Sequence, residues 1–254
     1  MRKKVLAVIA VILIVAGVAA LLFPTVSNII GAQIANAEIE QFETSLKNVI
    51  EDDITAEEAS KEALAQGTDS EPILFRADLD RLYKDSIAYN NNLKENQDSL
   101  LTNDYSYVNP SINLADYGIY NGVYGYVSAP SIEMKLPIYL GANDRNMSYG
   151  AAHLTYTSLP IGGEYSNCVL AGHTGYIGRI FFDNIRNLRV GDTVELTNFW
   201  NTLTYKVIDT RVFKPNQSQA IFINSNRDIL TLITCINDGS GGFNRYYVVC
   251  ERSK

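Results

Sequence analysis

From Val5 to Ala37 the chain carries no charged side chain, and Val5 to Phe23 is almost purely aliphatic. A helix of about 20 apolar residues suffices to cross the hydrocarbon core of a bilayer. The flank Met1-Arg2-Lys3-Lys4 is basic, and basic flanks stay in the cytoplasm. These features predict a single-pass anchor in the cell membrane with the rest of the chain outside the cell. A cleaved signal peptide has a shorter apolar region, roughly 7 to 15 residues, ending at a small-x-small site. The run here is longer, but Ala32-Gln33-Ile34-Ala35-Asn36-Ala37 offers such sites, so cleavage stays open. Burial of this segment inside a folded domain is a third reading.

Beyond the anchor, roughly 220 residues remain, enough for one domain of ordinary size and an appendage. A net charge of −7 with no basic stripe argues against a nucleic-acid partner, because neutralising phosphates takes clustered Lys and Arg. Sixteen Tyr against one Trp point to a β-rich body with Tyr on half-buried faces.

Residues 37–66 read as a helix, with Phe42, Leu46, Ile50 and Ile54 at spacings of four. Gly67-Thr68-Asp69-Ser70 interrupts it. A second helical stretch is expected over about 73–93, and 95–120, rich in Asn, Asp, Ser and Tyr, reads as a long surface loop. From Gly122 the texture becomes short β-type runs between turn residues: 123–127, 136–139, 167–171, 193–197, 203–212, 229–233 and 246–251. Seven or eight such strands predict a closed β-barrel rather than a parallel α/β sheet. A helical turn is expected over 180–187. The expected organisation is therefore mainly β: 1–34, cytoplasmic tip and transmembrane anchor; 35–120, helical appendage; 121–254, β-barrel.

The candidate chemistry is confined to few residues. Cys168, Cys235 and Cys250 make an odd count, which leaves at least one thiol unpaired in an extracellular protein. Neither C-x-x-C nor H-x-x-x-H occurs, so no metal or other cofactor is expected. Cys168 and Cys250 sit inside apolar runs and read as core. Cys235 closes Leu230-Thr231-Leu232-Ile233-Thr234-Cys235 where a strand meets a Gly-rich loop, a position that can expose a thiol. Of the two histidines, His173 stands in Gly172-His173-Thr174-Gly175 at a turn off a strand end, where a scaffold presents a side chain to a cleft. It is the candidate acid or base. Arg245 opens a strand expected to pair beside the Cys235 strand, and its permanent donors suit an oxyanion or a peptide carbonyl. Taken singly, each of the three also reads as an ordinary structural residue.

Together, Thr231-Leu232-Ile233-Thr234-Cys235, upstream Gly172-His173 and downstream Arg245 resemble the sortases, over about residues 120–252. Within that span Ser158-Leu159-Pro160-Ile161-Gly162-Gly163, Leu136-Pro137-Ile138-Tyr139 and the segment 181–192 look most like the pilin-polymerising class C branch. The resemblance implies an eight-stranded sortase-type closed barrel with N-terminal helices on the surface of a Gram-positive cell. It further implies Cys235 as nucleophile, His173 as acid/base and Arg245 as oxyanion or substrate donor, with Thr234 and Thr174 beside the substrate. The implied partners are surface or pilin proteins with a Leu-Pro-x-Thr-Gly-like sorting motif and an amine acceptor, either a pilin Lys or a peptidoglycan precursor. His153 reads as structural.

Two departures from class C stand out. Its Asp-Pro-aromatic lid motif is absent, although Asp104, Tyr105 and Tyr107 occupy the corresponding stretch as a divergent lid or a plain loop. No C-terminal apolar segment follows Glu251, which leaves anchoring of proteins to peptidoglycan open beside pilin polymerisation. Outside the family, a papain-like hydrolase would place its Cys before its His, the reverse of the order here. A non-catalytic, membrane-tethered β-domain is the other alternative.

Overall fold

The computed structural model describes residues 2–66, 78–101, 106–176, 178–215, 217, 221–223 and 225–253. Helix α1 runs without interruption over Arg2–Gln66, through Pro24, so the charge-free apolar run and the helix expected over 37–66 are one continuous helix. It holds the one described helix long and apolar enough to cross a membrane, and its most apolar 18-residue window is unburied. Helix α2, Leu79–Leu100, starts at Asp78, whose carboxylate accepts the Arg81 amide at 3.0 Å, satisfying one orphan N–H of the first turn. The helix extends to Leu100, so the loop expected from residue 95 begins later.

Eight described strands close a barrel: β1 Val123–Ala129, β2 Met134–Leu140, β3 Ala151–His153, β4 Ser166–Ala171, β5 Thr193–Asn198, β6 Thr202–Phe213, β7 Asp228–Asn237 and β8 Phe243–Arg252. Their order around the wall is β1-β2-β3-β4-β7-β8-β6-β5, with β5 returning to β1. Two neighbour pairs, β2–β3 and β4–β7, are parallel and the others antiparallel. Alternation fills the interior. On β7, Leu230 and Leu232 point inward among Cys168, Leu170, Val248 and Cys250, as a pleat of period two requires. β3 falls in none of the expected runs, because three residues are too few to show alternation. The expected helical turn at 180–187 narrows to a single 3-10 turn, Ile185–Asn187.

The helices are part of the folded body. Phe42 of α1, 1% exposed, meets Phe199 (ring centroids 4.9 Å) and Tyr126 (6.2 Å). Leu46 packs against the same cluster. The side chains of Ile50 and Ile54 lie outside those described. From α2, Leu82 and Leu93 are buried together with three polar residues, Ser86, Asn90 and Gln97. Ser86 bonds the Tyr124 hydroxyl at 3.0 Å. Asn90 accepts the Leu159 amide at 2.7 Å, and Gln97 donates to the Tyr156 carbonyl at 2.9 Å. The seam is half polar because it docks on the irregular segment 156–159, whose backbone groups need partners.

Leu82 is fully buried between α2 and the barrel. Leu82→Ala is expected to cost about 2–5 kcal/mol, read as a lowered urea midpoint of the detergent-solubilised chain.

Candidate active site

The site is built where β4, β7 and β8 run side by side. Ala171 is the last residue of β4 and pairs with Ile233 of β7, and the Gly172 amide donates to the Ile233 carbonyl at 3.1 Å. Two further bonds hold the chain on either side of His173. The Thr234 hydroxyl donates to the Gly172 carbonyl at 2.7 Å and lies 2.7 Å from the Thr174 hydroxyl. Both neighbours of His173 are thus tied to the residue that precedes Cys235. Gly172 is required by close packing: a Cβ there would lie 2.6 Å from the Phe182 ring. The His173 carbonyl accepts the Phe182 amide at 2.9 Å. Asp183 fastens the far side of the turn, accepting the Gly175 amide at 2.7 Å and the Phe181 amide at 3.0 Å. The imidazole is half-buried and stacks on Tyr176 (5.4 Å, 15°). Neither of its ring nitrogens has a hydrogen-bond partner among the described residues.

On the other side, Cys235 and Arg245 are directly paired across the β7–β8 ladder. The Arg245 Nη1 donates to Cys235 Sγ at 2.9 Å. Both residues are half-buried. β7 continues two residues past Cys235 to Asn237 and β8 begins at Phe243, two before Arg245. The pair therefore lies within the ladder, inward of the strand ends where the sequence placed it, and held more rigidly than a loop would hold it. Asp238 closes the hairpin by accepting the Ser240 and Gly242 amides.

The three thiols are all free, and burial sorts them. Cys168 is 2% exposed, and burial, reinforced by the nearby Asp228, pushes its thiol well above the usual range. Cys250 is fully buried and burial raises it to about 12. Only Cys235 reaches solvent. His153 is fully buried, and burial outweighs its hydrogen bonds to bring it down to about 4. Its ring lies 3.0 Å from the Ser158 carbonyl and 3.2 Å from the Thr157 hydroxyl, so it braces the chain after β3 and has no access to a substrate.

Of the suggested lid residues, Asp104 and Tyr105 lie outside the described residues. Tyr107 packs against the outer cluster that includes Ile233 and Tyr247. Its carbonyl accepts the Ala142 amide at 2.9 Å. The Thr234 and Thr174 hydroxyls face each other and the backbone, and Thr234 is 2% exposed. Sequence reasoning did not find Tyr176 and Asp183. Their only signal was proximity to His173. Among the described residues no His, Cys, Asp and Glu cluster could hold a metal ion.

A sulfur held against a guanidinium, with an imidazole turn locked in register beside it, equips a barrel for cysteine-dependent acyl transfer. Comparison with known proteins gives the family. The Sortase domain matches residues 127–253, and the chain belongs to the sortase family of cysteine transpeptidases. Sortase A of Bacillus anthracis is 29% identical over 115 residues, 45% of this chain and 53% of that protein; the chain spans about half the length of the curated relatives it matches. A crystal structure of sortase C1 from Streptococcus agalactiae superposes with a TM-score of 0.62 at 26% identity, covering 70% of this chain and 90% of that one. Sortase C of Clostridium perfringens, in a structure with the C-terminal cell wall sorting motif, gives 0.58 at 30% identity, covering 79% and 98%.

Two outcomes follow from burial. A methanethiosulfonate reagent added to the folded chain should place one adduct, on Cys235; three adducts appear only after unfolding, as counted by mass spectrometry. Second, unfolded His153 takes up its proton near 6.5, but in the fold only near 4. Stability is therefore whole above about pH 6.5 and falls as the pH drops toward 4, by about 3 kcal/mol. His153→Gln should flatten that segment of a stability–pH profile.

Proposed function

We propose that the chain is a transpeptidase that cuts a Leu-Pro-x-Thr-Gly-like sorting motif and passes the acyl fragment to an amine, with a pilin Lys as the favoured acceptor. The observation that carries this reading is the 2.9 Å contact between Arg245 Nη1 and Cys235 Sγ on a ladder flanked by the tethered His173 turn. In the first half-reaction the Cys235 thiolate attacks the scissile carbonyl, forming a C–S bond. Arg245 supports the developing oxyanion. The C–N bond then breaks as His173 delivers a proton to the leaving amine. In the second, His173 takes a proton from the incoming amine, which attacks the thioester and releases the Cys235 sulfur. The bond energy is conserved in the thioester, so no nucleotide is consumed. Thr174 and Thr234 act as positioning residues, since their hydroxyls set the height of the His173 turn.

The class C structural neighbours support pilin polymerisation, and the sorting motif in the Clostridium perfringens structure supports the donor class. Attachment of surface proteins to peptidoglycan is the second reading, favoured by the sortase A relatives. We read residues 1–34 as tip and anchor, 35–120 as helical appendage and 121–254 as catalytic barrel, held on the outer face of the cell membrane. We keep Asp104, Tyr105 and Tyr107 as a divergent lid or a plain loop; of these Tyr107 packs against the outer cluster.

The test is acyl trapping. The chain incubated with a panel of sorting peptides should gain the mass of the N-terminal peptide fragment on Cys235. Cys235→Ala should abolish the adduct, while Cys168→Ala and Cys250→Ala keep it. His173→Ala and Arg245→Ala should each slow peptide cleavage by about 10²–10⁴-fold. An adduct on another cysteine, or unchanged cleavage by Cys235→Ala, overturns the assignment. Offering purified pilin Lys against a peptidoglycan amine decides the acceptor.

A further inference from the structure

We propose that the end of the barrel that carries Cys235 faces the bilayer, and that Ile180, Val190 and Phe243 on its rim dip into the lipid interface around α1. The inference rests on reading Val5–Phe23 as a membrane anchor and not on the acyl-transfer assignment.

Strand directions define that end. β4 and β7 are parallel and finish at Ala171 and Asn237, so Cys235 stands about 7 Å short of the finish of β7. β8 is antiparallel to β7 and begins at the same end with Phe243. β6 is antiparallel to β8 and finishes there at Phe213, and β5, antiparallel to β6, starts there at Thr193. Phe199 follows the last residue of β5 and therefore marks the opposite end.

Helix α1 runs along the barrel wall from one end to the other. At the Cys235 end it meets the loop that follows β4. A Cβ on Gly31 would lie 2.4 Å from the Gly178 carbonyl oxygen, and one on Gly178 would lie 2.9 Å from Ser27 Oγ. Roughly 22 Å further along the helix, Phe42 meets Phe199. The apolar run therefore leaves the fold at the Cys235 end and not at the other. Phe23 precedes Ser27 by about 6 Å along the helix, and the headgroup layer is about 5–8 Å thick on each side of the hydrocarbon. A bilayer holding Val5–Phe23 brings its interface to the Gly178 loop.

The surface at this end has the composition such a contact needs. Outside α1, the exposed large aliphatic and phenyl side chains among the described residues are Ile87, Ile180, Val190, Val212 and Phe243. Only Ile87, on α2, lies away from the Cys235 end. Ile180 belongs to the Gly178 loop, Val190 to the turn before β5, and Val212 and Phe243 flank the Cys235–Arg245 pair. Clustered exposed apolar side chains mark a binding surface. Here the surface is continuous with α1, whose Val26, Ile29 and Ile30 also stay exposed. Exposed charges on the rim are of both signs, Arg186 and Arg189 with Asp238, so the contact is apolar and tolerates salt.

The experiment places an environment-sensitive fluorophore on single cysteines of the full chain in phosphatidylcholine nanodiscs that carry a doxyl-labelled phosphatidylcholine quencher. Every variant also carries Cys235→Ala, so the introduced thiol is the exposed one. A single label per chain shows that Cys168 and Cys250 remain sealed and the barrel folded. Labels at Ile180→Cys, Val190→Cys and Phe243→Cys should shift to the blue and lose most of their emission to the lipid quencher, at low salt and at 1 M salt alike. A label at Ile87→Cys should keep its emission. Rim labels quenched no more than the Ile87→Cys label overturn the proposed orientation. A blue shift without lipid quenching means that protein covers the rim, and overturns the lipid contact. Quenching that disappears at 1 M salt overturns the apolar contact in favour of a charged one. A label at Val18→Cys separates the two readings: if it is quenched and the rim is not, this inference alone fails, and if it is not quenched the anchor reading fails and this inference with it.

Discussion

The parallel pairing of β4 with β7 is the contact on which the site depends. It joins Ala171 to Ile233 and Gly172 to the same residue, across a crossover that contains β5 and β6. Closing so long a loop is entropically costly, and the burial of Cys168, Leu170, Leu230 and Leu232 along the pair offsets it. What the pairing delivers is local. Thr234 reaches across it to Gly172 and Thr174, so the imidazole turn is held by the residue next to the thiol. A change in the height of that turn would move His173 relative to Cys235 without touching either side chain.

The same pleat decides which of three chemically identical thiols is available. Leu230 of β7 pairs with Cys168 on one side and with Cys250 on the other, and all three point into the barrel. Residues of opposite parity on β7 face outward, and Cys235 is one of them. A slip of one residue in the register would exchange the two faces and seal the Cys235 sulfur inside. Which thiol meets solvent here follows from register.

Much of this was legible in the sequence, and what was not has physical reasons. The seven longer strands announced themselves through short β-type runs between turn residues, and the long apolar helix through its charge-free run. Cys235, His173 and Arg245, which the proposed chemistry uses, each read singly as an ordinary structural residue as well, and only their combination resembled the sortases. β3 was hidden by its length. The extent of α2 was hidden by its polarity: Ser86, Asn90 and Gln97 look like solvent-facing positions until the backbone groups of Tyr156 and Leu159 are brought to them. The long loop expected from residue 95 was the same error seen from the other end. Nothing local in the sequence shows that the Thr174 and Thr234 hydroxyls, 60 residues apart, face each other.

The geometry also bears on why the donor beside the sulfur is an arginine. In the resting arrangement one guanidinium N–H points at Cys235 Sγ. In the proposed chemistry the sulfur becomes part of a thioester and loses its charge, while negative charge moves to the carbonyl oxygen. A lysine would have to relocate a single compact ammonium to follow it. The guanidinium carries five donors on one rigid plane, so a second N–H can meet the oxyanion while the first lets the sulfur go. With the arginine fixed by the β7–β8 ladder, its donors are in place before charge develops, and little reorganisation is left for the reaction to supply.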